Sequence, residues 1–192
     1  IKAVSDGFND FKMPYHIILG NHDLEAMSKS DFYTAFEKNQ FCSYYSFSIE
    51  NTKFIVLDAN YNEDNSDYSR GNYNWTESYI DAEQLKWLEN ELDSCTEENI
   101  VIFTHQNLDH RFNYGKLDAC VIKNYKDIEQ VLEKSDRRIM VIQGHYHNGD
   151  HQIINDIEYI TLKALCVGDD ITYIPRLIVS VGNEMALEHL DE

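Results

Sequence analysis

Long apolar runs are missing from this chain of 192 residues. Its longest, such as Ile100–Phe103 and Ile139–Ile142, are strand-sized and far short of the roughly 20 residues that span a bilayer. No charged segment followed by an apolar stretch opens the chain, so no secretory leader is legible and a cytoplasmic location is expected. No C-x-x-C pair occurs among Cys42, Cys95, Cys120 and Cys166, which excludes a zinc ribbon or a thioredoxin-like motif. Their wide spacing fits buried thiols. Internal repeats and low-complexity segments are also missing. Positive charge is scarce: 16 Lys and Arg stand against 34 Asp and Glu, a formal net charge of −18. Such a surface is soluble and repels a phosphate backbone, which disfavours non-specific nucleic-acid binding. A site for an anionic phosphate here would need cations to reverse the local sign.

What is present suits one domain with an ordinary core, since 43% of residues are hydrophobic and 26% charged. Tyr15–Leu19 reads as a buried strand running into a loop at Gly20-Asn21. Ser28 to Asp31 can cap a helix carrying Phe32, Tyr33 and Phe36. Residues 44–49 and 52–57 read as a hairpin turning at Glu50-Asn51, and residues 58–76 as a long surface loop. Asp81 opens a helix with Leu85, Leu88 and Leu92 on one face. Ile100–Thr104 is a strand ending at His105, followed by a polar loop to about Lys123. Tyr125–Lys134 is helical, and Ile139–Ile142 is a strand running into Gly144-His145-Tyr146-His147. The remainder, with Gln152–Ile154, Glu158–Leu162 and Tyr173–Val181, is β-rich.

Three of these strands end in loops that carry Asn21-His22, His105, and His145 with His147. Loops at the carboxyl ends of strands in a sheet with helical crossovers converge on one edge, where ligands bind. In an extended segment His145 and His147, two apart, would share a face, and Gly144 permits a bend before them. Neutral imidazoles ligate zinc, iron and manganese, and an Asn carbonyl adds a harder oxygen. Asn21 and His22 are neighbours that point in different directions, so one can hold a metal while the other reaches a substrate. Each residue alone is an ordinary loop residue; the ordered set is what carries the signal.

That set resembles the calcineurin-like metallophosphoesterase family. Gly20-Asn21-His22-Asp23, Thr104-His105 and Gly144-His145-Tyr146-His147 match its third, fourth and fifth motifs in order. Gln84-Leu85-Lys86-Trp87-Leu88 resembles the family's Gln-Leu-x-Trp-Leu helix, and Asn124-Tyr125 with residues 144–149 resembles its ADP-ribose/CDP-alcohol diphosphatase branch. The resemblance implies an α/β fold, a two-sheet β sandwich flanked by helices. It also implies hydrolysis of a phosphoester or diphosphate bond by a metal-activated hydroxide. Asn21, His105 and His145 would ligate one divalent ion (Mn, Fe or Zn) and His147 a second. His22 would be general acid or transition-state stabiliser, oriented by Asp23. The substrate would be a small phosphorylated or nucleotide-like molecule.

The family's first two motifs, Asp-x-His and Gly-Asp-x-x-Asp, are not found before Gly20. Residues 1–11 instead resemble the helix that follows the second. Residues 1–192 are therefore expected to form a single, partial domain, the carboxyl-terminal portion of a longer protein. Without the bridging carboxylate, one ion or fewer would be held well and catalysis by this chain alone would be weak. Exposed sheet edges would favour self-association. The alternative reading is a non-catalytic binding or regulatory module on the same fold; a structural site for one metal is disfavoured by its Asn ligand and open fourth position. Tyr61, Tyr68, Tyr73 and Trp75 are candidates for an aromatic platform, though such residues also simply pack a loop. Arg70, His110 and Arg111 are candidate substrate contacts, and the loop that carries Asp109, His110 and Arg111 directly after His105 is expected to line the cleft.

Overall fold

Strands that are apolar at every position need cover on both faces. In the computed structural model, which describes residues 2–10, 14–36, 42–109, 119–166, 177–180 and 186–189, they receive it. The helices are α1 (Lys2–Asn9), α2 (Lys29–Ala35), α3 (Ala82–Asp93) and α4 (Tyr125–Glu133). The strands are β1 (Tyr45–Ile49), β2 (Thr52–Val56), β3 (Asn99–Phe103), β4 (Arg138–Gln143), β5 (Asp150–Ile154), β6 (Ile157–Thr161), β7 (Leu177–Ser180) and β8 (Ala186–His189). Six of them form one sheet in the order β1-β2-β3-β4-β6-β5, and β7 pairs with β8 separately. The four inner strands run parallel, while β1 and β5 are antiparallel edges.

The period of two along each strand decides which layer each side chain joins. Ile100, Ile102, Ile139 and Val141 pack with Leu88 and Leu92 of α3 and Ile128, Val131 and Leu132 of α4. Their neighbours Val101, Met140 and Ile142, with Phe54 and Ile160, face the other way against Leu177 and Val179 of β7. Each such side chain, fully buried, is worth roughly 1.5–3 kcal/mol of transfer free energy. The result is the expected α/β arrangement of two sheets with flanking helices. No helix among the described residues is long and apolar enough to cross a membrane.

Local chemistry places the boundaries. Ser28 and Asp31 form a reciprocal capping box at α2, and Asp81 accepts from Gln84 N at α3; each cap contributes about 1 kcal/mol. The hairpin turns at Glu50, whose φ is 53°, and pairs Ile49 with Thr52. Two expectations are corrected. Residues 15–19 form no strand: Ile17 and Leu19 are buried, but no described segment runs alongside to complete a ladder. Residues 58–76 are not merely a surface loop, because Asp58, Asn60, Tyr61 and Tyr68 are buried in it.

Candidate metal centre

All four parallel strands deliver their carboxyl ends to one edge, as crossover topology requires. The loop after β2 brings Tyr73 and Trp75, the loop after β3 brings His105, the turn after β4 brings His145 and His147, and the segment after β6 brings Cys166. A buried amide network holds these loops together. Asn60 Nδ2 donates to Leu19 O (3.2 Å), and Gln106 Nε2 donates to Asn60 Oδ1 (2.8 Å). Gln143 Oε1 accepts from Leu108 N (2.9 Å), while its Nε2 donates to Thr161 Oγ1 (3.0 Å) and to Asp109. Gln84, from the Gln-Leu-x-Trp-Leu stretch, clasps both main-chain groups of Asp58. Asp109 is thus wholly buried, and the rest of the loop expected to line the cleft, with His110 and Arg111, lies outside the described residues.

Asn21 begins a helical turn, Asn21–Leu24, that aims it inward and leaves His22 exposed. Asn21 Oδ1 lies 2.8 Å from His105 Nε2, which lies 3.3 Å from His145 Nδ1. Gly20 makes room for this: a Cβ there would stand 3.3 Å from the His105 ring and from Asp23 Oδ2. The backbone bend expected at Gly144 falls instead at His145, whose φ is 61°. Burial pushes His105 down to about 3 and His145 to about 4, with the neighbouring histidine charges adding to it. Both shifts favour the neutral ring, the form of imidazole that ligates a cation.

His147 departs from the sequence expectation. The segment after Gly144 is a tight turn, not extended, so His147 does not share a face with His145. It is exposed, and its Nδ1 lies 3.5 Å from Cys166 Sγ. Asp23, raised by burial, accepts from Gly20 N (2.8 Å), and the groups beside His22 Nδ1 are Glu25 Oε2 (3.3 Å) and Tyr73 Oη (3.4 Å). Arg70 is exposed beside a turn closed by Ser69 and Asn72, and His110 and Arg111 lie outside the described residues. Glu25, Tyr73 and Cys166 carried no motif. Tyr73 was legible only as an aromatic in a loop.

Among the described residues no group of three or more His, Cys, Asp or Glu side chains is placed to hold a metal ion. The converging set is smaller and of mixed type, one amide oxygen and two imidazole nitrogens. Its donor spacing of 2.8–3.3 Å is close to that of atoms sharing a single cation at about 2.0–2.2 Å. His145 Nε2 is also buried without a hydrogen-bond partner. These residues fit one divalent cation.

Parallel strands under two layers of cover, with nitrogen and oxygen donors gathered near their carboxyl ends, define the class as an α/β protein with a candidate metal centre. A family profile described as calcineurin-like phosphoesterase matches residues 2–149, and the chain belongs to that family. Divalent metal ions are the family's cofactors, and phosphoester hydrolysis is its chemistry. Among solved structures the chain is similar to a dimetal phosphatase from Danio rerio at 18% identity and a TM-score of 0.61, over 78% of this chain and 60% of that one. It is also similar to PhoD at 15% identity and a TM-score of 0.48, over 67% of this chain and 30% of that one. The chain thus spans less than two thirds of either. No curated protein sequence matches.

Proposed function

We propose that this chain serves metal-dependent hydrolysis of a small phosphorylated substrate, holding one divalent cation firmly and a second weakly. The observation that carries the reading is the convergence of Asn21 Oδ1 and His145 Nδ1 on His105 Nε2, at 2.8 and 3.3 Å from it. Asn21, His105 and His145 would hold the first cation, and His147, with Cys166 beside it, would contribute to the second. The cations would supply activation of water and a positive charge opposite the phosphoryl oxygens. His22, exposed at the mouth, would hold a proton at Nε2 for the leaving oxygen, its Nδ1 supported by Glu25 and Tyr73. Asp23 would act through the turn, bonding Gly20 N and so holding His22 in place. Arg70, on the loop that carries Tyr73, and His110 and Arg111, beyond Asp109, are the proposed substrate contacts.

Calorimetric titration of the metal-stripped chain with Mn²⁺ tests the reading, followed by hydrolysis assays on p-nitrophenyl phosphate and its bis-ester. One saturable site, with metal-dependent release of nitrophenol, is the expected result. The exposed position of His147, whose ring meets Cys166, favours a second reading, a one-cation binding module. Stoichiometric Mn²⁺ binding without turnover of either ester would select it. Absence of Mn²⁺ binding would sink both.

A further inference from the structure

Resting on the reading of Asn21 as a metal ligand, we infer that Tyr73 is a positioning residue whose hydroxyl joins Asn21 to His22 and fixes the polarity of both. Asn21 is fully buried, and its Nδ2 donates to Tyr73 Oη at 2.9 Å. The same oxygen lies 3.4 Å from His22 Nδ1. A phenol has one proton to donate. With one lone pair taken by the Asn21 amide, that proton is left for the other neighbour, and the reading is that it faces His22 Nδ1. The chain of bonds then has one direction: Asn21 Nδ2–H to Tyr73 Oη, Tyr73 O–H to His22 Nδ1.

Two consequences follow for the site. The oxygen and nitrogen of an Asn amide are nearly the same size, so packing alone does not choose which faces the cation. A hydroxyl committed to His22 can only accept from Asn21, which directs Asn21 Oδ1 to His105 and the metal position. His22, accepting at Nδ1, keeps its proton at Nε2. Glu25 Oε2, 3.3 Å from Nδ1, favours the opposite tautomer, so Tyr73 is the group that opposes it. Groups behind a metal's ligands ordinarily govern ligand orientation in this way.

Tyr73 is itself held firmly enough for the task. Its ring packs edge-on against Tyr68, with centroids 5.6 Å apart. Tyr68 is fully buried and donates to Asn74 O (2.6 Å), with Glu77 O 3.0 Å away. Asn60 at the base of the loop is bonded to Leu19 O, two residues before Asn21. The loop and the Asn21 turn are therefore one assembly.

The test is Tyr73→Phe, which keeps the ring and removes the bridge, with Tyr73→Ala as the packing comparison. In the metal-free chain, ¹⁵N spectra read the Asn21 side-chain amide and the His22 ring nitrogens. In Tyr73→Phe both should move, His22 toward the Nδ1-protonated pattern, with the melting temperature unchanged. Mn²⁺ affinity by calorimetry should fall about 10- to 100-fold. Spectra of Tyr73→Phe identical to the parent would overturn the proposal, as would damage confined to Tyr73→Ala. Because the spectra need no metal, a parent chain that fails to bind Mn²⁺ would refute the proposed function and still leave the bridge decided.

Discussion

The two halves of the candidate centre differ in what holds them. Asn21, His105 and His145 are drawn from three separate segments, sit against one another, and rest on the Asn60, Gln106 and Gln143 network. His147 is exposed on a turn, with Cys166 Sγ 3.5 Å from its Nδ1. The first half is arranged before any ligand arrives, since its desolvation and ordering were met on folding. The second would have to be ordered on binding, at a cost in affinity. The same motif, Gly144 to His147, supplies one residue to each half, so motif membership alone does not make a residue preorganised.

Removing the centre of the ordered half should have the largest effect. His105→Ala deletes the donor that touches both Asn21 and His145, and Mn²⁺ affinity by calorimetry should fall by more than about 100-fold, beyond the range of indirect contacts. The fold should survive, because β3 packs through Ile100, Val101 and Ile102. An intermediate effect is expected for Gly20→Ala. The added Cβ meets the His105 ring and the Asp23 carboxylate at 3.3 Å, so the ring must shift. Overpacking of this kind costs about 1–3 kcal/mol, readable as a lower midpoint in urea together with weaker Mn²⁺ binding. The smallest effect belongs to the other half. His147→Ala should leave the tight Mn²⁺ event and the urea midpoint where they are and remove only weak binding. Loss of the tight event in His147→Ala would erase the contrast between the halves.

Much of the fold was legible because short-range chemistry and long-range packing agree. The caps at Ser28 and Asp81, the Glu50-Asn51 hairpin and the apolar strands at 100–103 and 139–142 each follow from a local rule that the tertiary structure repeats. The failures share a cause. Residues 15–19 have a strand's composition but join no ladder among the described residues, and the loop at 58–76 has a surface composition and a buried interior. In both, the outcome depends on what lies alongside, which composition does not state. The His145–His147 spacing misled for a related reason: a period of two implies a shared face only where the backbone is extended, and His145 takes a left-handed conformation instead.

For the centre itself, the sequence determined which donors exist and that His105, His145 and His147 follow strands, because residue type and order along the chain are enough to identify three family motifs. It also determined the sign of the problem, a protein of net charge −18 whose family acts on phosphates. Only the tertiary structure decided which donors meet. Asn21 and His105 are 84 positions apart and touch at 2.8 Å, whereas of the nearly adjacent His145 and His147 the first meets His105 and the second stands exposed beside Cys166. Tyr73 entered the site in the same way, from 52 positions beyond Asn21. Distance along a chain sets the entropy of closing a contact, but packing and buried hydrogen bonds choose which contacts are closed.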